Sequence, residues 1–167
     1  MLSIPKLEDR KEQYYLAIRT AVPIPFSKYL QPLWKEVEAW MKSQAIPASA
    51  WGPAVIRYLT TDMSTKLDID VGFAVDRPIV GNDRIIAGVF PAGRYATLLY
   101  TGSYRGKGIY KATVALLDWA KENGIVWNTA TKNGVEWWNG RAEWYLTDPA
   151  QETDMKKYQT ELAFLTK

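Results

Sequence analysis

The pattern Trp-x-Lys-x-x-x-Ile occurs twice, at Trp40, Lys42 and Ile46 and again at Trp119, Lys121 and Ile125, with one offset of 79 residues throughout. Each copy closes an amphipathic stretch. In the first, Phe26, Leu30, Leu33, Trp34, Val37, Trp40 and Met41 fall on one helical stripe. In the second, Ile109, Ala112, Leu116 and Ala120 do the same, and Gly124 is placed as a C′ cap. Ser27 is the expected N-cap of the first helix, and Pro32 is expected either to bend it or to mark where its regular part begins. A chain of 167 residues has the length of one ordinary domain. The expectation is therefore a single domain over residues 1–167, built from internal repeats at about 13–76 and 93–167.

Strand patterns surround both helices. Residues 13–22, 54–60, 84–90, 95–101, 141–147 and 158–166 are rich in β-formers and bounded by turn residues. Residues 66–76 alternate without a break: Leu67, Ile69, Val71, Phe73 and Val75 share one face. The other face carries Asp68 and Asp70, which reads as a solvated face. The fold class that follows is α+β: duplicated β-α-β-β units with pseudo-two-fold symmetry. An antiparallel sheet would carry two long helices on one face and a ligand cleft between the halves.

Composition removes several chemistries. There is no Cys and no His, which excludes disulfides, thiol nucleophiles, imidazole bases and the usual zinc sites. No metal and no cofactor are expected. Net charge is +3 and the longest basic feature is Lys156-Lys157, so the footprint of a nucleic-acid partner is missing. The first residues are polar rather than a signal sequence, and no apolar run approaches the ~20 residues of a membrane span. A cytoplasmic location is the default. The run Gly102-x-x-x-Gly106-x-Gly108 lacks the Gly-Lys-Ser/Thr of a phosphate loop. Against this stand 8 Trp and 10 Tyr, more than one small core needs. Aromatic rings gathered around a carboxylate suit a flat or cationic small molecule.

The carboxylate is Glu143. On strand 141–147, Arg141, Glu143 and Tyr145 share one face, and Ala142, Trp144 and Leu146 share the other. The apolar set is expected to pack under a helix, leaving Glu143 and Tyr145 in the cleft. The plain alternative for Glu143 is an ion pair with Arg141 two residues away. Trp137 and Trp138 are adjacent, so one of them is expected to face the cleft. Tyr95 and Tyr100 differ by five and lie on opposite strand faces, so at most one lines the site. Trp51 and Tyr58 are candidates from the other half, and Glu161 has a lesser role.

These motifs resemble a known family. Tyr95-Ala96 with Tyr100-Thr101-Gly102-Ser103-Tyr104 looks like the strand and turn of GyrI-like (gyrase-inhibitory-protein-like) ligand-binding domains. Glu143-x-Tyr145-Leu146-x-Asp148-Pro149 resembles their Glu-x-Tyr-x-x-x-Pro strand, and Thr160-Glu161-Leu162 their last strand. Where many members have His, this sequence has Tyr100. The resemblance implies binding of small hydrophobic, aromatic or cationic molecules, as in multidrug-responsive regulators. Only about a dozen residues precede the first strand, so the free-standing form without a DNA-binding helix-turn-helix is expected. Trp137-Trp138-Asn139-Gly140-Arg141 resembles a subgroup with members that hydrolyse the cyclopropane ring of DNA-alkylating natural products. In that alternative Glu143 would act as general base, Tyr145 would donate to a carbonyl, and Trp137 or Trp138 would stack on the substrate. Binding module and hydrolase both remain open from the sequence.

Overall fold

The computed structural model describes residues 1–62 and 66–167. Ten strands and two helices follow one another as β1 (Lys6–Arg10), β2 (Gln13–Pro23), α1 (Ser27–Ser43), β3 (Trp51–Tyr58), β4 (Lys66–Val75), β5 (Ile86–Phe90), β6 (Gly93–Thr101), α2 (Gly108–Glu122), β7 (Thr129–Lys132), β8 (Val135–Trp138), β9 (Arg141–Tyr145) and β10 (Gln159–Leu165). Eight strands form one antiparallel sheet in the order β1-β6-β10-β9-β3-β4-β2-β5, and β7-β8 is a separate hairpin. The class is α+β. The blocks β6-β10-β9 and β3-β4-β2 mirror one another about the β9–β3 pairing, in which Ile56 faces Glu143.

Both helices lie on one face. Val37 and Met41 of α1 pack on Leu16, Ile18 and Val75, and Leu30, Leu33 and Trp34 on Val22, Ile56 and Ile69. Ala112 and Leu116 of α2 pack on Ala96, Leu98, Leu162 and Phe164. Pro32 sits inside a continuous α1, where it forfeits the bond to the Lys28 carbonyl at a solvent-exposed turn. Ser27 is not the cap. The helix starts from Phe26 without a side-chain bond. Gly124 takes φ +66°, the left-handed geometry of a helix stop. Among the described residues no helix is long and apolar enough to cross a membrane.

The sheet must curl. β1 and β2 are six places apart in the strand order, as are β5 and β6. Six flat spacings cover ~29 Å. Yet only Lys11-Glu12 joins the first pair and Pro91-Ala92 the second, and two residues bridge roughly 10 Å. The face away from the helices is the inside of this curl. It holds Tyr15, Ala17, Val55, Ala74, Phe90, Tyr95, Ala142, Trp144, Ala163 and Leu165. Phe90 on the edge strand β5 comes within 5.1 Å, centroid to centroid, of Trp144 on central β9.

This curl overturns two sequence expectations. Ala142 and Trp144 pack in the interior with Phe90 and not under a helix, while the Glu143 face meets the helices. On β4 the side opposite Leu67 and Ile69 is also enclosed, so Asp70 is fully buried rather than solvated. It is satisfied there by Arg19 at 2.8 and 3.0 Å and by the Tyr15 hydroxyl at 2.5 Å. Gly72 on the same strand has a steric cause. A Cβ there would stand 1.8 Å from the Leu16 carbonyl oxygen of β2. Gly72→Ala is therefore expected to destabilise by about 2–3 kcal/mol, read as a lowered urea midpoint with unchanged slope.

Candidate ligand site between the helices

β9 places Glu143 and Tyr145 on the helix side of the sheet, at the seam where β3 and β9 meet. Ile56 across the seam packs under α1, and Leu162 on the other side of Glu143 packs under α2. Glu143 is 8% exposed. The Tyr145 hydroxyl donates to its Oε2 at 2.6 Å, and the Tyr58 hydroxyl also bonds to the carboxylate. The expected alternative, an ion pair with Arg141, does not form among the described residues. Burial raises the Glu143 pKa above the ordinary carboxylate value, against the opposing pull of Tyr145, Tyr58 and the Arg141 charge. Burial and the neighbouring carboxylate also push Tyr58 and Tyr145 well up, so both hydroxyls remain donors.

Rings pack against Tyr145 beside this carboxylate. Trp34 of α1 meets Tyr145 edge-on at 5.2 Å, and Tyr104 meets it from the other side at 5.2 Å. Tyr104 in turn lies 4.7 Å from Tyr158. Two polar tethers hold the row. Trp34 Nε1 donates to the Gly72 carbonyl at 3.0 Å, and the Tyr104 hydroxyl donates to the Thr147 carbonyl at 2.8 Å. Trp34, Tyr104 and Tyr145 each stay partly exposed. The seam is thus an aromatic stack that a flat molecule could enter by parting rings already edge-on to one another.

Of the residues singled out from sequence, the structure brings together Glu143, Tyr145 and Tyr58. Trp138 is buried under α2 beside Arg141, while Trp137 is half-buried on the β7-β8 hairpin. Tyr100 is on the helix side, but its ring is folded under the start of α2. Gly102 and Gly108 leave it room: a Cβ at Gly108 would stand 2.0 Å from the Tyr100 hydroxyl. Gly102 and Gly108 serve this packing and Gly106 takes a left-handed φ of +83° in the turn, which accounts for the glycine run without a phosphate. Tyr95 faces the interior and donates to the Pro91 carbonyl at 2.7 Å, so it lies outside the seam. Trp51 is likewise away from it, its ring tilted against Phe73 at 5.8 Å and its Nε1 donating to the Ile46 carbonyl. Glu161 is an interior partner of Arg10 at 2.8 Å. Trp34, Tyr104 and Arg141 were not among the candidates. Trp34 was legible only as a member of the α1 stripe, which does not say that one edge of the stripe overhangs a carboxylate.

An open cavity of about 350 Å³ lies apart from the seam, on the inner face between Arg10, Phe90, Tyr95, Trp144 and Glu161. Its buried charges are already matched, since Arg10 bonds to both Glu8 and Glu161. The seam, by contrast, keeps a buried carboxylate that pairs with no cation among the described residues. Among the described residues no three acidic side chains gather as a metal site would need.

The model of the GyrI-like small molecule binding domain matches residues 4–164. No curated protein matches the sequence. Among solved structures, the EcmrR C-terminal domain superposes with a TM-score of 0.76 at 22% identity, over 98% of this chain and 97% of that one. EcmrR in its complex with DNA also gives a TM-score of 0.76, and this chain spans only 57% of its length. SAV2435 bound to tetraphenylphosphonium gives 0.61 at 10% identity over 99% and 94% of the two chains. A hydrolase from Listeria innocua gives 0.59 at 13% identity over 98% and 91%. At such identities the likeness is one of fold. The family match covers nearly the whole chain, and with it the protein belongs to the GyrI-like small molecule binding domains.

Proposed function

We propose that the seam binds small aromatic cations, with Glu143 as counter-charge and Trp34, Tyr58, Tyr104 and Tyr145 as the walls. The observation that carries this is Glu143 itself. Its carboxylate is buried, its bonds come from neutral hydroxyls, and no cation pairs with it among the described residues. Such a group is costly to keep ionised unless a positive charge joins it. Flat rings beside it would add cation–π attraction. That SAV2435 was obtained with tetraphenylphosphonium makes this cation a natural probe. Titration should quench Trp fluorescence with micromolar-range affinity and raise the melting temperature as ligand saturates. The quench should be smaller in Trp34→Phe. An unsaturable response into the millimolar range, with no melting shift, would exclude the reading.

One observation favours a hydrolytic second reading: Glu143 and Tyr145 place a base and a donor within 2.6 Å of each other. Glu143 would take a proton from a water whose oxygen bonds to a strained ring carbon. The breaking C–C pair would pass into a conjugated carbonyl, with Tyr145 donating to its oxygen. The diagnostic is a product heavier by one water, formed with a cyclopropyl-dienone substrate and lost in Glu143→Gln.

A further inference from the structure

Arg141 leaves β9 on the same face as Glu143, two residues away. Its guanidinium carbon lies 4.5 Å from the Trp138 ring centre, 4.4 Å from Phe164 and 5.8 Å from Tyr58. Those rings stabilise a cation through their faces but accept no strong hydrogen bond. Arg141 Nε is buried with no hydrogen-bond partner, and so is Trp138 Nε1 in the ring beneath it. A third orphan, the Thr160 hydroxyl, belongs to the residue paired with Tyr145 across β10 and β9. Of the four buried side-chain atoms without partners among the described residues, only Arg57 Nε lies elsewhere. Native proteins pair nearly all such groups, because an unmade buried bond costs about 1–3 kcal/mol, more when charged. Arg141 and Glu143 have opposite charge and stand side by side without bonding to each other. Burial accordingly holds the Arg141 pKa below its usual value.

We propose that Arg141 Nε–H and Trp138 Nε1–H form a donor subsite for an anionic oxygen, so that the seam selects aromatic zwitterions over simple lipophilic cations. The positive end of the ligand meets Glu143 and the negative end meets Arg141. Arg141 and Glu143, neither of them in an ion pair among the described residues, are thereby both completed by one molecule. This rests on the seam being the ligand site, and the test separates the two claims. The probes are a rhodamine free acid and its methyl ester, which share the aromatic cation and differ in the carboxylate alone.

Affinities are measured by fluorescence polarisation for the parent protein, Arg141→Met, Arg141→Lys and Trp138→Phe. The acid is expected to bind at least tenfold tighter than the ester. Arg141→Met should bring the acid down to the ester's level and leave the ester unchanged. Arg141→Lys keeps the charge without the fork and should fall between. Trp138→Phe keeps the ring and should lose a smaller part of the preference. Without ligand, Arg141→Met should melt at the parent's temperature or above, because it removes a half-buried cation whose Nε has no hydrogen-bond partner. A merely structural arginine would instead lower the melting temperature and weaken both dyes alike. Equal binding of acid and ester overturns the subsite while leaving the seam as a cation site. Failure of both dyes to bind overturns the subsite together with the seam.

Discussion

Replacing Glu143 by Gln is expected to weaken binding of a lipophilic cation by about 30-fold or more. Truncating one member of a desolvated charge pair costs roughly 2–5 kcal/mol, and each 1.4 kcal/mol is tenfold. The substitution keeps an acceptor for the Tyr145 hydroxyl, so the unliganded protein should lose little stability. It also tests the titration. Glu143 has its pKa raised in the folded protein, mainly by burial. A raised carboxylate pKa contributes stability that is present below the unfolded value and is lost as pH rises through the folded one. Cation binding needs the ionised form, so affinity should climb across that same window, by at most about tenfold per pH unit. Below the raised Glu143 pKa, calorimetry in buffers of different ionisation enthalpy should show a proton released on binding. Glu143→Gln should flatten the pH dependence and abolish the release. A Gln variant that binds as well as the parent would remove Glu143 from the site.

The second large effect is on stability and comes from Asp70. Its carboxylate is fully buried on the inner face, held by Arg19 and Tyr15, with Arg57 donating to the same Tyr15 hydroxyl at 3.1 Å. Arg19 is 53% exposed, so its own charge can return to water if the acid is removed. The reverse does not hold. Arg19→Met keeps the apolar stem but leaves a buried anion with one neutral donor, so the loss should be about 3 kcal/mol. For a chain of this length that is a fall of roughly 6–12 °C in melting temperature. Asp70→Asn should cost less, and Arg10→Met on the more open Glu161 pair less again. Thermal denaturation of the three variants gives the order. Arg10→Met proving the worst would mean that the interior is held at the cavity and not at Asp70.

The helices and central strands were legible because their periodicity is a direct record of one buried face. Alternation on β9 sufficed to set Glu143 and Tyr145 together and apart from Trp144. It could not say which face looks toward the helices. With two faces buried, Trp144 and Glu143 are both inward residues, and only the curl decides which interior each belongs to. The same ambiguity misplaced Tyr95, whereas Trp51 is on the helix face but at the end of β3 away from the seam, beside Met41 and Val75. β1 was missed because Lys6–Arg10 is a charged edge strand with no hydrophobic alternation. The β7-β8 hairpin was legible in principle. Asn133-Gly134, with positive φ at both residues, is the turn that its strands require.

The floor of the seam is the junction of β3 with β9, whose contacting residues are nearly ninety positions apart in the chain. A growing polypeptide that has released β3 and α1 carries Tyr58 and Trp34 but has no Glu143 and no Tyr104. The seam therefore comes into being only once β9 has emerged. A ligand that needs both walls can rescue a marginal chain that reaches through β9, and it has no purchase on one that stops short of it. Drug-induced protection from proteolysis should consequently report only chains that include β9.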